Sequence, residues 1–154
     1  MDELRELRSK GTIRDIIMFY RVESWMDLDQ ALEQADNARK YASAHVVPNW
    51  VKLFMDGTVE GGTGFVDPLY PDGHQGLVNW TEEETTDITR RANEKGMTMH
   101  IHTMGNKAVN RAVSAFVNGG KDEMRNTIVH VRNVSDTDLK RMQEHNIYAT
   151  AGML

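Results

Sequence analysis

The sequence predicts an α/β fold in which about five parallel strands alternate with helices. Five short runs rich in β-branched and aromatic residues recur along the chain, and amphipathic segments with helical spacing separate them. Such alternation arises from βαβ crossovers, which build a parallel sheet. Five strands in 154 residues is close to the density of a (β/α)₈ barrel, which needs about 250 residues for eight strands. We therefore expect residues 1–154 to form one domain, a partial TIM-like barrel.

A complete doubly wound open sheet is the alternative architecture. It would suit the length of the chain. Such a sheet usually has a glycine-rich nucleotide-binding turn after a strand, or another binding site at the point where the strand order reverses. No G-x-G-x-x-G or G-x-x-x-x-G-K-[ST] pattern follows a strand here, and the glycine cluster at 61–64 lacks a strand-loop-helix context. The barrel segment is therefore the preferred prediction.

Each predicted strand is a short apolar run bounded by polar or turn residues. The runs comprise residues 14–22, 50–55, 97–102, 127–131 and 147–151. Lys52 interrupts the second run, and Pro48 lies just ahead of it, where a missing N–H does least harm to a sheet. These positions predict five strands with one unusual charge inside the second.

Each predicted helix begins at a capping signal. The signals are Ser24 with Asp27, Thr81 with Glu84, Asn106, and Ser135 with Asp138. Gly96 is placed to end the helix that follows Thr81, and Gly119-Gly120 follow the next helix. Residues 57–79 hold half of the chain's 12 glycines and form its longest irregular segment. A loop of that length is typical of a functional site.

Composition and charge limit the classes of partner. A hydrophobic content of 40% and a charged content of 27% are those of an ordinary globular domain. The net charge of −5, without a block of like charge, argues against a nucleic-acid footprint or a polybasic membrane anchor. No window approaches the roughly 18 apolar residues of a membrane span, and the charged N-terminus does not resemble a signal peptide. We expect a cytoplasmic protein with a small-molecule partner.

Polar side chains stand in or at the ends of three neighbouring predicted strands, namely Lys52, His100, His102 and His130. Neighbouring strands lie about 4.8 Å apart, so Lys52, His102 and His130 converge at the carboxyl edge of a parallel sheet, and His100 shares the face of His102. Each has an ordinary structural interpretation, because a lysine can extend to the sheet rim and a histidine can cap or pack. Their convergence favours a metal site. The other histidines, at 45, 74 and 145, are predicted to lie on the surface.

Four segments resemble, in order, motifs of the amidohydrolase superfamily of metal-dependent hydrolases, within the branch that includes exoenzyme regulatory proteins. The segments are VKLFMDGT (51–58), GGTGFVDPLY (61–70), GMTMHIHTMGNKAV (96–109) and RNTIVHVRNVSDTDLKRM (125–142). The first is similar to the family's strand-four K-x-x-x-D-G. The third and fourth are similar to the stretches that contain the histidines of strands five and six. The resemblance covers residues 45–154 well and residues 1–44 only loosely.

The resemblance implies a metal site formed by Lys52, His102 and His130. In many members the lysine takes up CO₂ to become a carbamate whose oxygens bridge two metal ions. Histidine and carbamate ligands suit zinc and several neighbouring divalent metals, and zinc is the ion that we expect. Such a carbamate would explain a lysine inside an apolar strand, because it is an anionic oxygen ligand. The histidines would bind as neutral imidazoles. The implied reaction is hydrolysis of amide or cyclic amide C–N bonds by metal-activated hydroxide.

Departures from the family pattern indicate an internal fragment, about strands three to seven of the family barrel. No histidine precedes Arg14, where the strand-one H-x-H would stand, and the strand-eight aspartate would lie beyond Leu154. Asn106 occupies a position where the family usually has aspartate. The catalytic set is therefore expected to be incomplete, and no catalytic residue is assigned.

A non-catalytic module is the alternative function, either a metal-binding one or a self-assembling half-barrel. A five-stranded segment leaves two strand edges and an inner face uncovered. We therefore expect a homo-oligomer.

Overall fold

The computed structural model describes residues 2–11 and 16–152 and contains one five-stranded sheet with helices. The strands are β1 (Ile16–Arg21), β2 (Val46–Phe54), β3 (Thr98–His102), β4 (Thr127–His130) and β5 (Tyr148–Ala151). The helices are α1 (Asp2–Ser9), α2 (Leu28–Asn37), α3 (Glu82–Glu94), α4 (Asn106–Gly119) and α5 (Asp136–Glu144), with a 3₁₀ turn at Ala38–Tyr41. Among the described residues, none of the helices combines the length and apolarity needed to cross a bilayer.

The sheet order confirms the predicted fold class. The strands lie in the order β1-β2-β3-β4-β5, and every neighbouring pair is parallel. A doubly wound sheet would reverse its strand order at a switch point, whereas a barrel adds strands in one direction. The observed order is therefore that of a barrel segment.

The two faces of the sheet have different surroundings. The side chains of Val51 and Leu53 on β2, and of Met55 directly after it, are fully buried and belong to the core that the helices cover. Lys52 and Phe54, which alternate with them, are only half-buried on the opposite face. Successive side chains of a strand point to opposite faces, so the helix-free face is the inner face of the barrel segment.

The second strand begins earlier than predicted. The apolar run predicts a strand over 50–55 with Pro48 ahead of it, but β2 starts at Val46 and contains Pro48. The register steps from Ile17↔Val47 to Phe19↔Trp50, so β2 has one extra residue at this point. Proline is tolerated at such a bulge because the extra residue leaves the ladder of hydrogen bonds.

The other predicted boundaries agree with the structure to within two residues where it describes them. The first predicted strand includes residues 14 and 15, which lie outside the described residues. The third, fourth and fifth strands each lose one residue at one end. The sequence analysis predicts no helix at the position of α1. Its glutamate, leucine and arginine residues have high helix propensity.

Two of the predicted helix starts are confirmed. The Thr81 side chain accepts from the Glu84 N–H, and the Glu84 carboxylate accepts from the Thr81 N–H, which is a complete capping box for α3. Gly96 follows this helix with φ +72°, a conformation that glycine adopts without strain. Ser135 caps α5 by accepting from the Asp138 N–H.

Two predicted caps are wrong. Asp27, not Ser24, caps α2, because its carboxylate accepts the Gln30 N–H at 2.9 Å. Gly105 occupies the cap position of α4, and Asn106 is the first helical residue. The Asn106 Oδ1 accepts the Lys107 N–H within α4 at 3.0 Å. The same side chain also bonds the backbone of Asp67 in a distant loop, a contact that local spacing cannot predict.

Candidate functional site

The polar residues predicted from the strand ends lie on the inner face of the sheet. Lys52 is in register with His100, and Phe54 is in register with His102. All four side chains therefore share one face, and Lys52 lies one side-chain repeat deeper than His102 instead of level with it. The Lys52 Nζ is 3.2 Å from His100 Nδ1.

His130 joins this group through an unusual backbone conformation. Val129 is in register with His102, so regular alternation would turn His130 to the outer face. His130 instead has φ +80°, and Val131 has φ +33°. The imidazoles of His102 and His130 consequently meet edge to face, with ring centroids 4.8 Å apart. Residues other than glycine rarely adopt positive φ, and such conformations concentrate at functional sites.

Burial and neighbouring positive charges lower the pKa of three side chains in this group. Burial, and then the Arg21 guanidinium, lower the pKa of Lys52 to about 8. Burial, followed by Lys52 and His130, lowers the pKa of His100 to about 4. Burial also lowers the pKa of His130, and the nearby His102 and Lys52 add to this effect. A neutral imidazole is the form that coordinates a metal.

Asp56 is a buried carboxylate that the sequence analysis includes only as the aspartate of the K-x-x-x-D-G motif. One oxygen, Oδ1, accepts the Met104 N–H at 2.9 Å. The other, Oδ2, accepts the N–H groups of Phe65 at 2.9 Å and Gly105 at 2.7 Å. Burial raises the pKa of Asp56, and these three N–H donors oppose that rise. An aspartate directly after a buried strand was the available signal for this role.

The ring of His102 is held by the residue that follows Asp56. His102 Nε2 lies 3.0 Å from the carbonyl oxygen of Gly57. A carbonyl oxygen can only accept, so Nε2 carries the hydrogen. In the neutral ring, Nδ1 is then the nitrogen with the lone pair. The contact selects the nitrogen of His102 that is available to a ligand.

The long loop over residues 57–79 is tied to the neighbouring loops of the carboxyl edge. The side-chain amide of Asn106 donates to the Asp67 carbonyl at 2.6 Å and accepts the Asp67 N–H at 2.9 Å. Glu60 forms an ion pair with Arg132, which follows β4. The loop therefore bridges the ends of β2, β3 and β4.

A cleft of about 470 Å³ lies between this loop and the start of α4, lined in part by Pro68, Tyr70 and Asn106. The larger cleft, about 600 Å³, lies on the outer side between α3 and α4 and has no histidine in its lining. Of the two, the cleft of about 470 Å³ is lined by loops at the carboxyl edge of the sheet.

The remaining histidines lie outside the inner-face group. His74 stacks on Tyr70 and accepts the Gly76 N–H at 2.9 Å. His145 lies 3.2 Å from the Asp122 carboxylate, and His45 is exposed. The surface prediction agrees with these positions.

The donor set at the inner face consists of imidazoles and one amine. Over residues 2–11 and 16–152, no three His, Asp or Glu side chains are grouped so that they could hold a metal ion. His102 and His130 supply two adjacent imidazole rings, and Lys52 could supply oxygen ligands only after carboxylation. This chemistry fits a divalent metal such as zinc, which accepts nitrogen and carboxylate-type oxygen ligands.

Comparison with known proteins gives one family and one curated relative. A model described as the amidohydrolase family matches residues 3–151. The exoenzymes regulatory protein AepA of Pectobacterium carotovorum is 32% identical over 77 residues, which is 50% of this chain and 17% of that protein.

Solved structures with the same fold include two archaeal proteins described as uncharacterized metal-dependent hydrolases. The Pyrococcus furiosus protein has a TM-score of 0.73 and 24% identity over 97% of this chain and 31% of its own. The Pyrococcus horikoshii protein has a TM-score of 0.73 and 22% identity over 96% of this chain and 30% of its own. This chain thus spans less than a third of the length of these relatives.

Proposed function

Because this chain belongs to the amidohydrolase family, we propose that it is the part of a metal-dependent hydrolase that supplies the ligands Lys52, His102 and His130. The reaction would be hydrolysis of an amide or cyclic amide C–N bond in a small molecule. A bound divalent ion would activate water and polarise the scissile carbonyl group. The cytoplasmic location stays a prediction.

This proposal rests on one observation: polar side chains from three strands meet on the inner face. His130 would lie on the other face without its positive φ, and this conformation brings its ring against His102. A strained backbone conformation at the end of a strand is typical of a functional constraint.

Lys52 is chemically suited to carboxylation. Its amine must be neutral to attack CO₂, forming an N–C bond and releasing a proton to solvent. Burial and Arg21 lower its pKa to about 8, which raises the neutral fraction near pH 7. The resulting carbamate would place anionic oxygens next to the two imidazoles.

We propose that the cleft between the 57–79 loop and α4 holds a part of the substrate away from the reacting bond, because none of Lys52, His102 and His130 lines it. Its walls combine apolar side chains with the amide of Asn106, a composition that suits a small polar organic molecule. Asn106 is also bonded to the Asp67 backbone, so it would fix the shape of this cleft.

Zinc binding tests the proposed ligands. We expect the chain to bind zinc weakly in a chelator-competition titration, because only part of the family's ligand set is present. His102→Ala and His130→Ala should each weaken binding about tenfold or more, whereas His145→Ala, a control outside the inner-face group, should leave it unchanged. Equal binding by all variants would exclude these histidines as ligands.

Carboxylation of Lys52 has its own spectroscopic test. With ¹³C-bicarbonate and zinc, a carbamate carbon resonance should appear in the wild-type chain and be absent from Lys52→Ala. A Lys95→Ala variant, which removes a half-exposed lysine after α3, is the matched control and should retain the resonance.

The alternative function is a non-catalytic module. It is favoured by the uncovered inner face, where Phe19 is 44% exposed and Tyr148 is 45% exposed. Turnover of acyl amides or cyclic imides by the zinc-loaded chain would exclude this alternative.

A further inference from the structure

Asp56 has more hydrogen bonds to distant backbone than a turn requires. Its side chain is 3% exposed. All three donors are main-chain N–H groups, one in the 57–79 loop and two in the β3–α4 turn. Main-chain donors have little freedom to move, so the carboxylate fixes the end of β2 relative to the end of β3.

The neighbouring Gly57 carries this constraint to His102. Its N–H donates to the Thr63 carbonyl at 3.1 Å, and a Cβ at this position would lie 2.1 Å from Thr63 Oγ1. The Gly57 carbonyl therefore has a defined direction, toward His102 Nε2 at 3.0 Å. Asp56 Oδ1 lies 3.7 Å from the same nitrogen, which is too far for a hydrogen bond.

We propose that Asp56 is a positioning residue for His102: it holds the Gly57 carbonyl so that the ring keeps its hydrogen on Nε2 and presents Nδ1 to the metal. Metal-binding histidines usually donate their other N–H to a carbonyl or carboxylate, and loss of that partner weakens the metal site. This inference rests on the proposed function, because it assumes that His102 is a ligand.

Asp56→Asn is the informative substitution. An amide has one acceptor oxygen, and its NH₂ group would face main-chain N–H donors, so at least one of the three bonds must be lost. The Gly57 carbonyl would then be free to turn away from His102. We expect the Nε2–H tautomer of His102 to lose population and the zinc dissociation constant to rise about tenfold or more.

Asp138→Asn is the matched control for loss of a buried carboxylate. Asp138 is also 3% exposed and accepts from Asn110, Ser135 and Arg141. It lies on α5, and these partners belong to α4, to the cap of α5 and to α5 itself. Its replacement should destabilise the fold without changing the His102 tautomer or the zinc affinity.

The experiment combines ¹⁵N-imidazole NMR of the metal-free chain with zinc titration of the wild type and both variants. A shift of tautomer and affinity in Asp56→Asn, but not in Asp138→Asn, supports the proposal. Equal zinc affinity in the two variants, or a wild-type His102 with its hydrogen on Nδ1, overturns it.

Two further outcomes separate this inference from the proposed function. If the wild-type chain binds no zinc although His102 carries its hydrogen on Nε2, the proposed function fails and only the ring orientation by Asp56 remains. If Asp56→Asn does not fold, Gly57→Ala replaces it, because its Cβ would collide with Thr63 and shift residue 57, the carbonyl of which bonds His102. An unchanged tautomer and affinity in that variant would also overturn the proposal.

Discussion

His130 combines a functional side chain with an unfavourable backbone conformation. Its φ of +80° lies in the region where a Cβ is too close to the neighbouring carbonyl, at a cost of about 1–2 kcal/mol. The same conformation brings its ring to His102. We conclude that folding stability and site geometry oppose each other at this residue.

A pair of substitutions separates the two effects. His130→Gly and His130→Ala both remove the imidazole, but only alanine retains the strained Cβ. At an ordinary position glycine is less stable than alanine by about 0.4–1 kcal/mol. Here we expect the glycine variant to be the more stable by about 1 kcal/mol, measured by urea unfolding. A more stable alanine variant would refute strain at this position.

Asp56 illustrates how a residue outside the proposed ligand set can decide the geometry of a ligand. Its motif position next to Gly57 was visible in the sequence, but its three donors were not. They come from segments up to 49 residues away along the chain. The partners of such a buried carboxylate are set by packing, not by neighbouring residues.

At the scale of elements, the β2–α3 unit is a short buried strand, a long loop and a helix with a complete capping box. The capping box connects Thr81 and Glu84 in both directions, and it defines where the loop ends. Hydrogen bonds from the Thr81 backbone and side chain lower the pKa of Glu84.

This capping box should make stability depend on acid pH. A carboxylate whose pKa is lowered by folding contributes stability above its unfolded pKa, here 4.5, and loses that contribution as the pH falls through the folded value. We expect Thr81→Ala to cost about 1 kcal/mol at pH 7. Glu84→Gln should reduce the loss of stability on acidification below pH 4.5.

Glu83→Gln is the control for this element. It removes one negative charge from the same first turn but lies outside the capping box. Its unfolding curve should follow the wild-type acid dependence more closely than that of Glu84→Gln. The same acid profile for Glu84→Gln and wild type would contradict the role of the Glu84 carboxylate.

At the scale of the whole molecule, the sheet has one covered face and one open face. The inner face exposes Ile17 and Phe19 on β1 and Tyr148 on β5, and these residues line a cleft of about 260 Å³ with Trp50 and His100. Strands β1 and β5 are also edges of the five-stranded sheet. Open edges and exposed apolar side chains favour pairing with another chain.

We propose that two copies of this chain associate through that face. Light scattering should give a mass above 17.5 kDa that increases with concentration. Phe19→Asp should shift the mass toward the monomer, because a charge would be buried in the contact. Leu139→Asp, at a 48% exposed position on α5, should have no effect. A wild type that remains monomeric at its highest soluble concentration would refute the association.

Much of the architecture was predictable because its signals are local. The alternation of apolar strands with capped helices predicted five parallel strands in sequence order, and the motifs around Lys52, His102 and His130 predicted the family. Start positions were less predictable. Pro48 lies inside β2 because the bulge opposite β1 accommodates it, and Asn106 bonds Asp67 instead of capping α4.

By itself the sequence determined the five strands and the helices α2 to α5 to within a few residues, and which polar side chains stand near the carboxyl ends of the strands. These features depend on side-chain periodicity and caps that act over a few residues. The tertiary structure alone decided that Lys52 lies deeper than His102, that His130 turns inward, and that Gly57 orients His102 across 45 residues of chain. Such contacts join distant segments, so they exist only after the strands have packed side by side.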